Sequence, residues 1–245
     1  MRYLVKTAYD GSDFQGWQTQ PKGRTVQSEI EKTIQIVSKQ KLPIVAAGRT
    51  DSGVHALGQY FHFDFETNML PNHIKSALQT NLPDDIQIIS VQPVAADFHA
   101  RFLAFERRYK YVINHAITPF NRRFSVFFPK DFINLNLMKE CTFLFLGSHD
   151  FSSFAKHNPD IKSTICNVTL FDIFYQDEFL VLRIHADRFL HNMVRRIVGT
   201  MMNISRKSHS PAVINRIFAK DPHYSNLIYT AEAKGLYLMD VCYPK

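Results

Sequence analysis

Gly48-Arg49-Thr50-Asp51-Ser52-Gly53-Val54-His55-Ala56 lies between a short apolar run, Ile44 to Ala47, and a segment from Gln59 to Phe65. In that segment Phe61, Phe63 and Phe65 alternate with Tyr60, His62 and Asp64. The alternation has the period of a half-buried strand, and the apolar run before it reads as a shorter one. An arginine and an aspartate thus occupy a tight loop between two strands. The glycines that bracket them let the backbone turn sharply and leave room for a ligand. Asp-Ser-Gly is also ordinary turn chemistry, so the stretch alone does not separate a reactive loop from a plain turn.

Upstream, residues 2 to 9 read as a strand and Asp10-Gly11-Ser12-Asp13 as a turn. Phe14-Gln15-Gly16-Trp17-Gln18 follows, placing the only Trp in a polar loop. Thr25 suits the N-cap of a helix reaching about Lys39, because Val26, Ile30, Ile34 and Val37 share one helical face. Downstream of the central loop, Pro71 suits the first turn of a second helix that ends before Pro83, and Ile86 to Val94 reads as a strand. The order strand, helix, two strands, helix, strand is that of a ferredoxin-like βαββαβ half, a layout compatible with RNA binding across a sheet.

From Phe98 the chain turns basic, with Arg101, Arg107, Arg108 and Lys110 close together, and a domain boundary is expected near residue 103. Tyr109, Tyr111 and Ile113 point to one face of a strand, and Arg108, Lys110 and Val112 to the other. A helix is expected from Leu135 to Leu146, stopped by Gly147, then a hairpin of Ile165–Tyr175 and Phe179–Ala186. A long amphipathic helix from about Leu190 to Arg206, a short one after Ser210-Pro211 and a closing strand from Gly235 complete the second half. The fold class expected is therefore α+β: two ferredoxin-like halves, residues 1–103 and 104–245, with a mostly antiparallel sheet forming a basic cleft for RNA.

Lys and Arg outnumber Asp and Glu by 29 to 22, a formal charge of +7. A basic balance of this size suits a polyanionic partner, most often nucleic acid, although a merely basic surface gives the same count. The three cysteines are scattered without a CxxC pair, which suits a reducing compartment and argues against a thiolate zinc site. The sequence shows no signal peptide and no apolar run of membrane-spanning length, so the cytoplasm is the expected location. His185, Asp187 and His191 invite a metal hypothesis, but their spacing matches no ligand motif. Phosphate-loop, dinucleotide and GxSxG motifs are all missing from the sequence.

Two further positions carry chemistry. Arg196 reads as a solvated surface residue, whereas Arg195 follows apolar Val194 and could turn inward. A guanidinium in that position calls for a carboxylate, and Asp51 is a candidate that spacing alone does not join to it. Tyr109, flanked by Arg107, Arg108, Lys110 and Tyr111, could stack a base among phosphate-gripping cations, or could simply face a core.

Read together, the blocks resemble the tRNA pseudouridine synthase A (TruA) family. The resemblance rests on Phe14–Gln18, Gly48–Ala56, Asp97-Phe98-His99-Ala100-Arg101-Phe102 and Arg107–Tyr111. It continues through Asp150-Phe151-Ser152-Ser153-Phe154, Phe189–Arg195 and Ala233–Leu238, in one order over the whole chain. It implies an isomerase that converts uridine to pseudouridine at positions 38, 39 and 40 of the anticodon stem-loop, with no cofactor or metal, acting as a homodimer that shares one tRNA across both subunits. It makes Asp51 the nucleophile or base, Tyr109 the active-site tyrosine and Arg195 the basic partner of the aspartate. Arg49 would enter the space left by the flipped nucleotide and Leu238 would wall the pocket, with Arg108 and Lys110 as further substrate contacts. Ser52 stands where many members carry Ala, and Ala155-Lys156-His157-Asn158 lacks the arginine expected there, so that Lys156 would take over a phosphate contact. A non-catalytic RNA-binding protein and a metal-dependent nuclease are the alternatives. The joint presence of Asp51, Tyr109 and Arg195 counts against the first, since binding alone does not need all three.

Overall fold

Tyr3, Leu4 and Val5 are buried in β1 (Arg2–Tyr9), the central strand of a sheet on which the N-terminal part of the chain is built. The computed structural model describes residues 1–244 and divides into two units: Met1–Phe105 with the segment from Tyr237 onward, and Glu106–Leu236. In the first, β1 leads into α1 (Val26–Ser38), β2 (Val45–Ala46), β3 (His55–Asp64), α2 (Pro71–Asn81) and β4 (Ile86–Val94). The strand order is β4-β1-β3, with β2 on β3 and every one of these pairs antiparallel. This is the ferredoxin-like arrangement expected from the order of elements.

Local chemistry explains the helix ends. The Thr25 hydroxyl accepts from the Ser28 N–H, and the Ser28 hydroxyl accepts in return from the Thr25 N–H, a reciprocal cap that satisfies two otherwise orphaned donors. Pro71 opens α2, where its missing N–H costs nothing, and Ile74 and Leu78 face inward. Phe61 and Phe63 on β3, and Phe65 just past its end, are buried as the alternation predicts. His62, on the opposite face, is buried too, because the turn at Ala100 covers it and donates its N–H to His62 Nδ1 at 3.1 Å.

The second unit contains β5 (Glu106–Asn114), β6 (Val126–Phe127), α3 (Leu135–Phe143), β7 (Gly147–Asp150), β8 (Ile165–Gln176), β9 (Phe179–Ala186), α4 (Met193–Lys207) and α5 (Val213–Phe218). Strands run antiparallel in the order β5-β9-β8-β7, with β6 parallel to β5. Helix α3 ends three residues short of the expected Leu146, and Gly147 opens a strand instead of stopping the helix. Phe145 is fully buried among Phe151, Phe154, Phe171 and Phe218, with ring centroids 5.2–6.5 Å away. Its insertion into this aromatic core redirects the backbone. The chain closes with β10 (Leu236–Cys242), grouped by sequence with residues 104–245. Within the first unit its Tyr237 and Leu238 pair in parallel with His55 and Ala56 of β3. The architecture is α+β with mostly antiparallel strands.

Candidate active site

The loop carrying Asp51 is held by the Phe14–Gln18 loop. Trp17 N–H donates to the Thr50 carbonyl at 3.1 Å, and Gly53 N–H donates to the Phe14 carbonyl at 3.3 Å. The Ser52 hydroxyl donates to that same Phe14 carbonyl at 3.2 Å. Gly16 has φ +85°, and a Cβ placed there would come within 2.7 Å of the Thr50 oxygen, so both its backbone conformation and its neighbours require glycine. The Gly16 and Trp17 carbonyls in turn accept from Val26 and Gln27 at the start of α1, which have no partners inside the helix.

Trp17 is buried between Tyr9 and Phe61, with centroids 6.0 and 6.1 Å away. The Tyr9 hydroxyl meets the Thr50 hydroxyl at 2.8 Å, and burial raises the pKa of this phenol well above its ordinary value. Asp51 therefore follows a residue fixed through both its main chain and its side chain. Gly53, at φ +77°, supplies the turn that closes with Val54 N–H donating to the Asp51 carbonyl at 3.2 Å. Asp51 itself is half-buried and Arg49 is exposed.

His55, just beyond the loop, is buried, stacks on Tyr237 with centroids 4.8 Å apart and accepts from Gly11 N–H at 3.1 Å. Leu238 is buried and its backbone registers with Ala56, so it lies on the strand beside the one the Asp51 loop feeds into. The first unit thus holds Arg49, Asp51 and Leu238, and the second holds Arg108, Tyr109, Lys110 and Arg195.

In the second unit Tyr109 is buried on β5, opposite Ile184 of β9, with its ring edge-on to Phe189 at 5.1 Å and 83°. Arg108 and Lys110 occupy the other face of the strand. Arg108 Nε donates to Glu106 at 2.7 Å, and Lys110 is desolvated enough to lower its pKa. Arg195 lies in the first turn of α4, where its Nε donates to the Ala231 carbonyl at 2.7 Å and its Nη1 to Asn192 Oδ1 at 3.1 Å. Arg196, read from sequence as solvated, instead donates from Nη1 to the Ala155 carbonyl at 2.6 Å and is half-buried. That bond ties the segment after Phe154 to α4, and Lys156 N–H adds a second tie to the His191 carbonyl at 3.0 Å.

Among the described residues no three His, Cys, Asp or Glu side chains are grouped to hold a metal ion. Asp187 Oδ1 accepts from the N–H groups of Asn167 and Arg188, and His191 is exposed. Among the described residues no helix is long and apolar enough to cross a membrane. The structural roles of Gly16, Trp17, Phe189 and Asn192 were not drawn from sequence. Only the solitary Trp beside a glycine in a polar loop hinted at the first two.

The family model for tRNA pseudouridine synthase matches residues 6–103 and 142–244. A tRNA pseudouridine synthase A of Listeria innocua is 38% identical over 246 residues, covering 99% of each chain. Proteins of the same name from Exiguobacterium sibiricum and Streptococcus suis are 35% and 36% identical, covering 100% and 99% of this chain and 97% and 98% of their own. A chain from a structure titled Crystal Structure of a Cbf5-Nop10-Gar1 Complex is 11% identical with a TM-score of 0.33, covering 81% of this chain and 53% of its own, a likeness too slight to bear on the fold. With matching segments in both units and relatives aligned over nearly its whole length, this chain belongs to the tRNA pseudouridine synthase family, a family of isomerases.

Proposed function

We propose that this enzyme isomerises uridines 38, 39 and 40 in the anticodon stem-loop of tRNA, with Asp51 as nucleophile or base, Tyr109 and Arg195 as its catalytic partners, and no cofactor. The observation that carries this reading is the Asp51 loop, clamped on both sides of the aspartate by Thr50 and Gly53. A plain surface turn does not need a buried Trp, an obligatory glycine and a hydroxyl pair behind it. A group that must meet a reacting atom in fixed geometry does.

The reaction breaks the C1′–N1 glycosidic bond, turns the uracil and joins C1′ to C5. The C5 proton is lost and N1 gains one, so the atoms balance with neither water nor a redox step. A carboxylate serves this chemistry either by attacking C1′ or by removing the proton on C2′ to give a glycal and returning it to C2′ as C5 adds to C1′, and the second route is the one proposed. Reaching C1′ requires the base to leave its stack at a cost of about a few kcal/mol. Arg49, exposed beside Asp51, would fill the vacated space. A stack on Tyr109 would offset part of the cost, with Leu238 as apolar wall and Arg108 and Lys110 as further contacts. The enzyme is proposed to act as a homodimer in the cytoplasm.

Incubation of the purified protein with unmodified tRNA, followed by carbodiimide-dependent primer extension, tests the site assignment. Stops at 38, 39 or 40 are expected, with intact RNA and no loss of activity on chelation. Pseudouridine elsewhere in the tRNA would overturn the positional assignment. RNA cleavage abolished by chelator would favour a nuclease.

A further inference from the structure

Asn192 stands at the N-cap of α4, where an Asn side chain ordinarily accepts from a backbone N–H of the first turn and stabilises the helix by about 1 kcal/mol. Here it makes no such bond. Its Oδ1 instead accepts from Nη1 of Arg195 at 3.1 Å. The residue is also held at φ 63°, ψ 4°, the left-handed region that Asn tolerates better than most side chains. The same guanidinium makes a second bond, Nε donating to the Ala231 carbonyl at 2.7 Å, and Ala231 N–H donates in return to the Arg195 carbonyl at 3.2 Å. Two points of attachment on a planar group set its plane as well as its position. An unusual backbone conformation and a forgone helix cap are thus both spent on one arginine side chain.

We propose that Asn192 is a positioning residue that orients the Arg195 guanidinium for isomerisation. The inference rests on the reading of Arg195 as a catalytic group and adds to it a residue that acts only through that arginine. Because glycine adopts φ 63° without strain, Asn192→Gly removes the acceptor and leaves the backbone undisturbed. Asn192→Asp restores an acceptor at the same place and also tolerates the left-handed region.

The test measures kcat and KM on unmodified tRNA for N192G, N192D, R195M and the double variant N192G/R195M, with thermal melting of each. N192G is expected to lower kcat roughly tenfold to a hundredfold, the loss of one hydrogen bond to a charged group, with KM and melting temperature nearly unchanged. N192D is expected to recover to within about threefold of wild type, and the double variant to be no slower than R195M alone, since both changes remove one function. Wild-type kcat in N192G alongside an inactive R195M overturns the role of Asn192 and leaves that of Arg195 standing. Losses that multiply in the double variant, or that Asp does not restore, show Asn192 acting by another route and also overturn it. Full activity in R195M removes the catalytic reading of the arginine, and the positioning role with it.

Discussion

The Thr50 carbonyl accepts the Trp17 N–H at 3.1 Å, and this bond joins two stretches that lie far apart in the chain. Through it the loop bearing Asp51 is registered against the start of α1 rather than left to its own turn chemistry. Gly16 lies against the same oxygen, so the contact depends on a missing side chain.

Gly16→Ala should therefore damage the site from outside it. A side chain at φ +85° costs about 1 kcal/mol or more, and its Cβ would have to displace the Thr50 carbonyl. A shift of that oxygen by a few tenths of an ångström or more is passed on to Asp51, and activity should fall on the order of a hundredfold, along with melting temperature. Gly48→Ala is the control. Nothing lies within 4 Å of a Cβ built there, so stability should stay within about 0.5 kcal/mol of wild type in a denaturant titration.

Tyr109→Phe should separate packing from proton transfer. The ring and its edge-on contact with Phe189 survive, so tRNA affinity should hold and any fall in melting temperature should be far smaller than for Tyr109→Ala. With the proton-transferring hydroxyl gone, kcat should drop roughly 10²- to 10⁴-fold. Tyr109→Ala, which empties a buried site, should in addition destabilise the protein by about 3 kcal/mol.

Stability should decline in mild acid, and His62 gives a specific reason. Burial, then the charges of Arg2 and His99, lower its pKa from 6.5 to about 4, and the Ala100 N–H needs Nδ1 unprotonated. In the unfolded chain His62 takes up a proton below pH 6.5, while the folded protein resists until about pH 4. The unfolded state binds more protons across that window, so stability is fully present above it and is lost as pH falls from 6.5 toward 4. The loss from this residue should be on the order of 2 kcal/mol, read as a falling urea midpoint. His185, also lowered chiefly by burial, adds in the same direction. Replacing His62 with Gln should flatten the profile.

Much of the fold was legible because its signals are local. Thr25, Pro71 and the alternation in Arg108–Asn114 each act within a few residues of themselves, and α1, α2 and β5 follow them closely. Strand β4 and strand β9 match their expected bounds. The departures arise where a distant partner decides. Gly147 opens β7 because Phe145 is drawn into an aromatic core, and His62 is buried by a turn from residue 100. In the site, Asp51 could be singled out by its motif. The reasons its loop is rigid lie in Gly16, Trp17 and Tyr9, whose contacts with Thr50 no periodicity encodes. Asn192 was hidden for a related cause: a helix expected from about Leu190 places it inside the first turn, and only the geometry puts it at the cap with its oxygen on Arg195.

The most direct test of the account replaces the Asp51 carboxylate with an amide of the same shape. Asp51→Asn should bind unmodified tRNA about as tightly as wild type in a filter-binding assay, yet form no detectable pseudouridine when the same RNA is mapped by primer extension. Substantial isomerisation by that variant would contradict the central claim and require another group to carry the chemistry.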